Sequence, residues 1–241
     1  CRNPRLSANM MTWVMANMAA FSNPCRTVEP IAARLAHGVW KVDVLSGTDA
    51  IGILTNLPNE SSAEWYPCPN QESSFPSKRC TKIPISQSSA LIQLRTQLAT
   101  IWSGQLSFDA LSQVAVAVDL PSKEPDHRMR NEIHRDVFPE REANATRPTA
   151  TIVVYLTEPT YNHPIELSGA TVFPDAGLQL RPRTGRMLAW ANTCDDGTPA
   201  PNARHGVGAY SGVNQPPRIA LHIPVEQAAG VSEHVGVPDY S

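Results

Sequence analysis

The chain has 241 residues and a formal net charge of −2, with 41% apolar and 17% charged residues. This composition can bury a core, which excludes a disordered chain, and the length fits one domain. Lysine and arginine form no basic stripe, and no apolar run reaches the ~20 residues of a membrane helix, so we expect neither nucleic-acid binding nor a membrane span.

The first 110 residues read as helices joined by irregular segments. Apolar residues recur at helical spacing in residues 10–21, 28–40 and 89–102. The third segment is the clearest, because its leucines line one face and a serine can cap its start. Residues 56–88 are rich in proline, serine and asparagine, which predicts a long loop.

After residue 110 the apolar residues alternate, which is the pattern of strands. Turn residues separate the predicted strands, which are residues 114–120, 151–156, 169–173, 178–182, 186–190 and 218–223. Many short strands favour an all-β sandwich or barrel over βαβ units. We therefore expect a mainly β protein whose N-terminal helices buttress the sheet.

The cysteines say little about metal binding or location. There are five, and none forms a CxxC pair, which argues against a structural zinc site. Cys68 and Cys80 flank a loop and fit either a disulfide or two free thiols. We expect a cytoplasmic location in preference to the secretory lumen, although a removed targeting segment stays open because the chain begins with Cys1.

A histidine and an aspartate two residues apart, in NEIHRDVF, are candidate metal ligands. On a strand, His134 and Asp136 point to the same face, so both can reach one ion. A third ligand from a distant strand would complete a facial triad and leave positions open, as Fe(II) centres that activate O₂ require. The pair alone also fits a solvated strand end.

Two later histidines compete to be the third ligand. His205 lies in NARHGVGAYSGV, and His222 lies on the predicted strand RIALHI. Alternation on that strand places Arg218 and His222 on its polar face. A guanidinium there suits a carboxylate ligand, although a surface ion pair is the other interpretation.

Together these residues resemble the iron(II)- and 2-oxoglutarate-dependent oxygenases, in particular the prolyl-4-hydroxylase-like branch. The similar stretches are TATIVVYLTEP, SGATVFPDAG, LRPRTGRMLAWANT and ARHGVGAYSGVNQPPRIALHI. The resemblance covers about residues 113–224 and implies a double-stranded β-helix, or jelly roll. We accordingly divide the single domain into a helical and irregular part (1–110), a jelly-roll core with the metal site (111–226) and a tail (227–241).

The resemblance also implies a site. His134, Asp136 and His205 would hold Fe(II), and Arg218 would pair with the far carboxylate of 2-oxoglutarate. Thr171 and Tyr155 are candidates to line that pocket, although Tyr155 also fits a plain core position. O₂ would be the oxidant and ascorbate a candidate reductant. Related halogenases lack the carboxylate, so the presence of Asp136 favours hydroxylation or a similar oxidation.

The implied function is oxidation of an unactivated C–H bond in a peptide or small molecule, coupled to 2-oxoglutarate decarboxylation to succinate and CO₂. Two alternatives stay open: a cupin-like metal enzyme without 2-oxoglutarate, in which Arg218 has no role, and a non-catalytic jelly-roll binding module. The sequence predicts no oligomeric state and no particular substrate.

Overall fold

The computed structural model describes residues 25, 27, 30–68, 78–102, 108, 111–123, 127–136, 148–160 and 162–225. The predicted helix over residues 10–21 and the tail lie outside these ranges. Within them, no helix combines the length and the apolar character needed to cross a membrane.

Eleven strands form two antiparallel sheets in the described part of the chain. The larger sheet has the order β1-β2-β9-β6-β11-β4-β3, and the smaller has the order β5-β10-β7-β8. The strands are β1 (Ala33–Ala36), β2 (Val39–Asp43), β3 (Lys78–Pro84), β4 (Gln113–Asp119), β5 (Asn131–His134), β6 (Ala150–Tyr155), β7 (Thr171–Phe173), β8 (Leu178–Leu180), β9 (Arg186–Ala191), β10 (His205–Val207) and β11 (Arg218–Val225).

In the described ranges, two α-helices and three short 3₁₀ helices accompany the sheets. The α-helices are α1 (Gly47–Leu54) and α2 (Ser89–Ile101), and the 3₁₀ helices are Ile85–Gln87, Ile165–Leu167 and Pro174–Ala176. Helix α2 confirms the clearest helix prediction. Helix α1 was not predicted, although Ser46 and Asp49 form a capping box that marks its start.

The larger sheet buries apolar side chains on both of its faces. The leucines of α2 pack against alternate residues of β4, β6 and β11, among them Val116, Ile152 and Leu221. On the opposite face, Tyr155 and Trp190 of the larger sheet pack against Phe173 of the smaller sheet. Two facing antiparallel sheets with helices against one side confirm the predicted jelly-roll core with a helical buttress.

Two predictions for the N-terminal part were wrong. In the predicted helix over residues 28–40, the described residues 30–40 are not helical: β1 and β2 are a hairpin, closed at Gly38 with a φ of 71°. A positive φ suits a tight hairpin turn, and the pairing of β2 with β9 then outweighs the helical spacing. Residues 56–88 are not one loop either, because β3 pairs with β4 over its whole length. The division of the chain at residues 110 and 226 stays a prediction.

Two disulfides form among the cysteines that the structure describes. Cys68 is bonded to Cys80, which decides between the two interpretations of that pair. Cys25 is bonded to Cys194 across 169 positions of sequence. The second bond was not predicted, since sequence spacing cannot reveal partners that only the fold brings together.

Candidate metal centre

Strand pairing brings the two predicted histidine ligands together. His134 ends β5 and His205 begins β10, and these two residues are direct partners in the antiparallel ladder. Their ring centroids are 4.4 Å apart. Asp136 follows two residues after His134, just beyond the strand end rather than on the strand. The fold thus joins a contiguous pair and a distant histidine at one edge of the smaller sheet.

The three ligand atoms converge. Oδ1 of Asp136 lies 3.4 Å from Nε2 of His134 and 3.7 Å from Nε2 of His205. All three atoms lie within 4.8 Å of one another. Two imidazole nitrogens and one carboxylate oxygen are the donor set of a facial iron(II) site. This arrangement fits the metal that the sequence implies.

Backbone carbonyls orient both imidazoles. Nδ1 of His134 lies 2.7 Å from the carbonyl oxygen of Glu132, and Nδ1 of His205 lies 3.0 Å from that of Ala203. A carbonyl can only accept a hydrogen bond, so each Nδ1 carries the proton and donates it. Each Nε2 is then the ring atom left to face the other ligands, and in the neutral ring it holds the lone pair that an ion needs.

A chain of two hydrogen bonds holds the carboxylate. Oγ1 of Thr151 donates to Oδ2 of Asp136 at 2.6 Å, and Nδ2 of Asn192 donates to Oγ1 of Thr151 at 2.9 Å. Thr151 and Asn192 are both buried. Sequence reasoning did not assign these two residues a role. A threonine in an otherwise apolar strand was the signal that could have revealed one, because buried hydroxyls require partners.

The charges of the triad suit a cation. Burial alone would raise the pKa of the Asp136 carboxyl, but hydrogen bonds from His134 and Thr151, together with the nearby His205, lower it to about 2. Burial lowers the pKa of His205. The hydrogen bond to Asp136 raises the pKa of His134. The site therefore presents an ionised carboxylate and a neutral buried imidazole at neutral pH.

Aromatic side chains shield one side of the triad. The ring of Trp190 lies 4.3 Å from that of His205, and the ring of Phe173 lies 5.9 Å from it. Phe173 and Trp190 also pack edge to face. These rings fix the His205 imidazole and keep water from its inner side.

The three residues predicted for the co-substrate pocket also meet. The Tyr155 hydroxyl and Oγ1 of Thr171 are hydrogen-bonded at 2.6 Å, and the Arg218 guanidinium lies 5.4 Å from the centre of the Tyr155 ring. All three are buried on the inner faces of the two sheets. The same face of β11 carries His222, whose Nε2 is buried and has no hydrogen-bond partner among the described residues. His222 is not part of the metal-ligand cluster.

Arg218 has partners that the sequence did not predict. Its Nη1 donates to Oδ2 of Asp119 at 2.9 Å, and its Nε donates to the carbonyl of Gly169 at 3.0 Å. Gly169 has a φ of 65°, and a Cβ there would come within 2.8 Å of the Arg218 side chain. Only glycine allows this close approach without strain. Arg218 is therefore anchored by a carboxylate and a carbonyl rather than left as a single free cation.

The sequence matches no protein-family model and no curated protein. Solved structures do resemble the fold. A prolyl hydroxylase from Trichoplax adhaerens, in complex with a hypoxia inducible factor peptide fragment, is 15% identical. Its TM-score is 0.53, and the match covers 90% of this chain and 93% of that one.

A prolyl-4-hydroxylase from Pseudomonas putida is similar as well. It is 14% identical with a TM-score of 0.50, and the match covers 79% of this chain and 92% of that one. At these identities the comparison concerns the fold and leaves the activity open. The chain therefore shares the jelly-roll fold of the prolyl hydroxylases, and at the level of the fold this confirms the resemblance in its motifs.

Proposed function

We propose that the protein is an Fe(II)- and 2-oxoglutarate-dependent dioxygenase that oxidises an unactivated C–H bond. The observation that carries this proposal is the convergence of His134, Asp136 and His205 within 4.8 Å. Iron at such a site, with O₂ and 2-oxoglutarate, supplies oxidation coupled to release of succinate and CO₂. Ascorbate is the reductant we expect to sustain turnover.

The protein's own residues would bind, orient and shield. The two imidazoles and the carboxylate would hold the metal, and a three-residue ligand set would leave positions for other ligands. Thr151 and Asn192 keep the carboxylate in position through their hydrogen bonds. Arg218, Tyr155 and Thr171 would line the pocket that binds the dicarboxylate 2-oxoglutarate.

The primary substrate we propose is a peptidyl residue or a small molecule. The prolyl hydroxylase from Trichoplax adhaerens was solved with a peptide fragment, which supports the first class for a protein of this fold. Asp136 supports hydroxylation or a related oxidation, because it occupies the position that a halide would need.

The test is 2-oxoglutarate turnover. We expect the parent protein to convert 2-oxoglutarate to succinate only when Fe(II) is supplied, and Asp136→Ala to abolish the reaction. Lys41→Ala, on strand β2 of the larger sheet, is the control and should leave turnover unchanged. Metal binding without 2-oxoglutarate turnover would favour the cupin-like enzyme. A parent protein that binds neither Fe(II) nor 2-oxoglutarate would favour a non-catalytic binding module.

A further inference from the structure

Three charged residues lie in one row across the larger sheet. Lys78 on β3 is the direct partner of Asp119 on β4, and Asp119 is the direct partner of Arg218 on β11. Side chains that are directly opposite on neighbouring strands leave the sheet on the same face, with Cβ atoms about 5 Å apart. The Asp119 and Arg218 side chains are 2% and 3% exposed, so that face is the interior between the sheets. Across the sheet, the anion Asp119 therefore lies between the cations Lys78 and Arg218.

The charges in this row do not cancel. Nη1 of Arg218 is paired with Oδ2 of Asp119 at 2.9 Å, so the carboxylate offsets the guanidinium. Among the described residues, the Lys78 ammonium has no hydrogen bond or ion pair within contact distance. Oδ1 of Asp119 is buried and has no hydrogen-bond partner there either. Two cations and one anion leave one positive charge without a counterion.

The uncompensated charge lies close enough to the inner face of β11 to act on His222. Burial lowers the pKa of Lys78, and the charge of Asp119 opposes that shift. Burial, and after it the charges of Lys78 and Arg218, lower the pKa of His222 to about 3. His222 shares the inward face of β11 with Arg218, so both cations act on the same interior space. A half-buried cation without a partner costs free energy that a bound anion would recover.

We propose that Lys78 and Arg218 together bind one carboxylate, the far carboxylate of 2-oxoglutarate, while Asp119, which lies between them in the sheet, holds the Arg218 guanidinium in place. Lys78 is therefore a co-substrate-binding residue supplied by a strand that lies before the jelly-roll core in sequence. The inference rests on the proposed function. A single net positive charge matches a carboxylate, whereas a doubly charged phosphate would leave the pocket negative.

The test is calorimetric binding to Mn(II)-loaded protein, which reports affinity without turnover. The ligands are 2-oxoglutarate and 2-oxopentanoate, which has a methyl group in place of the far carboxylate. Lys78→Met is expected to weaken 2-oxoglutarate binding by about tenfold, as loss of one charge-assisted contact implies, and to leave 2-oxopentanoate binding unchanged. Lys82→Met, on the same strand and exposed, should change neither affinity.

The possible results distinguish the proposed function from the role of Lys78. A parent protein that binds neither ligand overturns the proposed function together with this inference. A parent that prefers 2-oxoglutarate, with a Lys78→Met variant that retains the full preference, overturns the inference alone. Equal weakening of both ligands also overturns it, since the loss would then not concern the far carboxylate. Lys78→Arg, which keeps the charge, should restore most of the preference for 2-oxoglutarate.

Discussion

Oγ1 of Thr151 donates a hydrogen bond to Oδ2 of Asp136 at 2.6 Å, which leaves Oδ1 facing the two imidazoles. Thr151 lies on β6 of the larger sheet, whereas His134 and His205 lie on the smaller sheet. This hydrogen bond therefore links the larger sheet to the metal ligands of the smaller sheet. It also fixes the one ligand that lies beyond a strand end and has no ladder to hold it.

Removing the Thr151 hydroxyl should weaken metal binding without unfolding the protein. Thr151→Val keeps the shape of the side chain but leaves Oδ2 of Asp136 without its donor. Loss of such a supporting contact typically costs about 10- to 100-fold in metal affinity. Anaerobic titration with Fe(II) or Mn(II) measures the effect. Thr96→Val on the exposed face of α2 is the control, and equal affinity in both variants would contradict the role of Thr151.

The buried pair of Arg218 and Asp119 should be sensitive to loss of one partner. Asp119→Ala leaves the guanidinium buried without its counterion, which we expect to lower the free energy of unfolding by about 3 kcal/mol or more. The exposed pair of Arg186 and Asp43 offers a matched comparison, since the Asp43 side chain is 54% exposed. Asp43→Ala should cost less than about 1 kcal/mol. Urea denaturation of both variants measures the difference, and similar losses would contradict the expectation.

His222 should make the metal-free protein less stable in mild acid. Burial lowers its pKa to about 3 in the folded protein, whereas an unperturbed histidine has a pKa of about 6.5, so the unfolded chain binds more protons below pH 6.5. Stability is then lost as the pH falls from about 6.5 towards about 3, and the loss is about 2 kcal/mol at pH 5. His222→Gln should flatten the slope of unfolding free energy against pH in this window. His127→Gln, which removes an exposed imidazole, is the control for the loss of one histidine.

The two disulfides should differ in their effect on stability. In the loop-entropy account, the bond across 12 positions contributes about 3 kcal/mol and the bond across 169 positions about 5 kcal/mol. Cys194→Ala should therefore lower the melting temperature more than Cys68→Ala. No change in melting temperature on addition of a reductant would count against both bonds.

The sequence predicted what short-range patterns encode. Alternation located the strands of the core, helical spacing located α2, and the His-x-Asp pair with His205 located residues that the fold brings together. Tyr155 and Thr171 were predicted to line the co-substrate pocket from the resemblance of their strands. The structure shows them hydrogen-bonded to each other, and their role in the pocket stays a prediction.

What the sequence could not predict depends on strand pairing. No pattern near Lys78 or Asp119 in the sequence indicates that the two residues are partners. Helix α2 separates their strands along the chain, and only the pairing of β3 with β4 places them side by side. Asn192 lies 41 positions from the threonine that it contacts. The hairpin of β1 and β2 has the apolar spacing of a helix, and only its pairing with β9 selects the strand conformation.

We propose that this protein binds 2-oxoglutarate on an iron centre held by His134, Asp136 and His205. The most direct measurement of this binding is the visible absorption spectrum of anaerobic protein mixed with Fe(II) and 2-oxoglutarate. We predict a weak metal-to-ligand charge-transfer band in the parent protein, its loss in His134→Ala and its reduction in Arg218→Ala. Absence of the band from the parent protein, or a band that neither substitution affects, would contradict the claim.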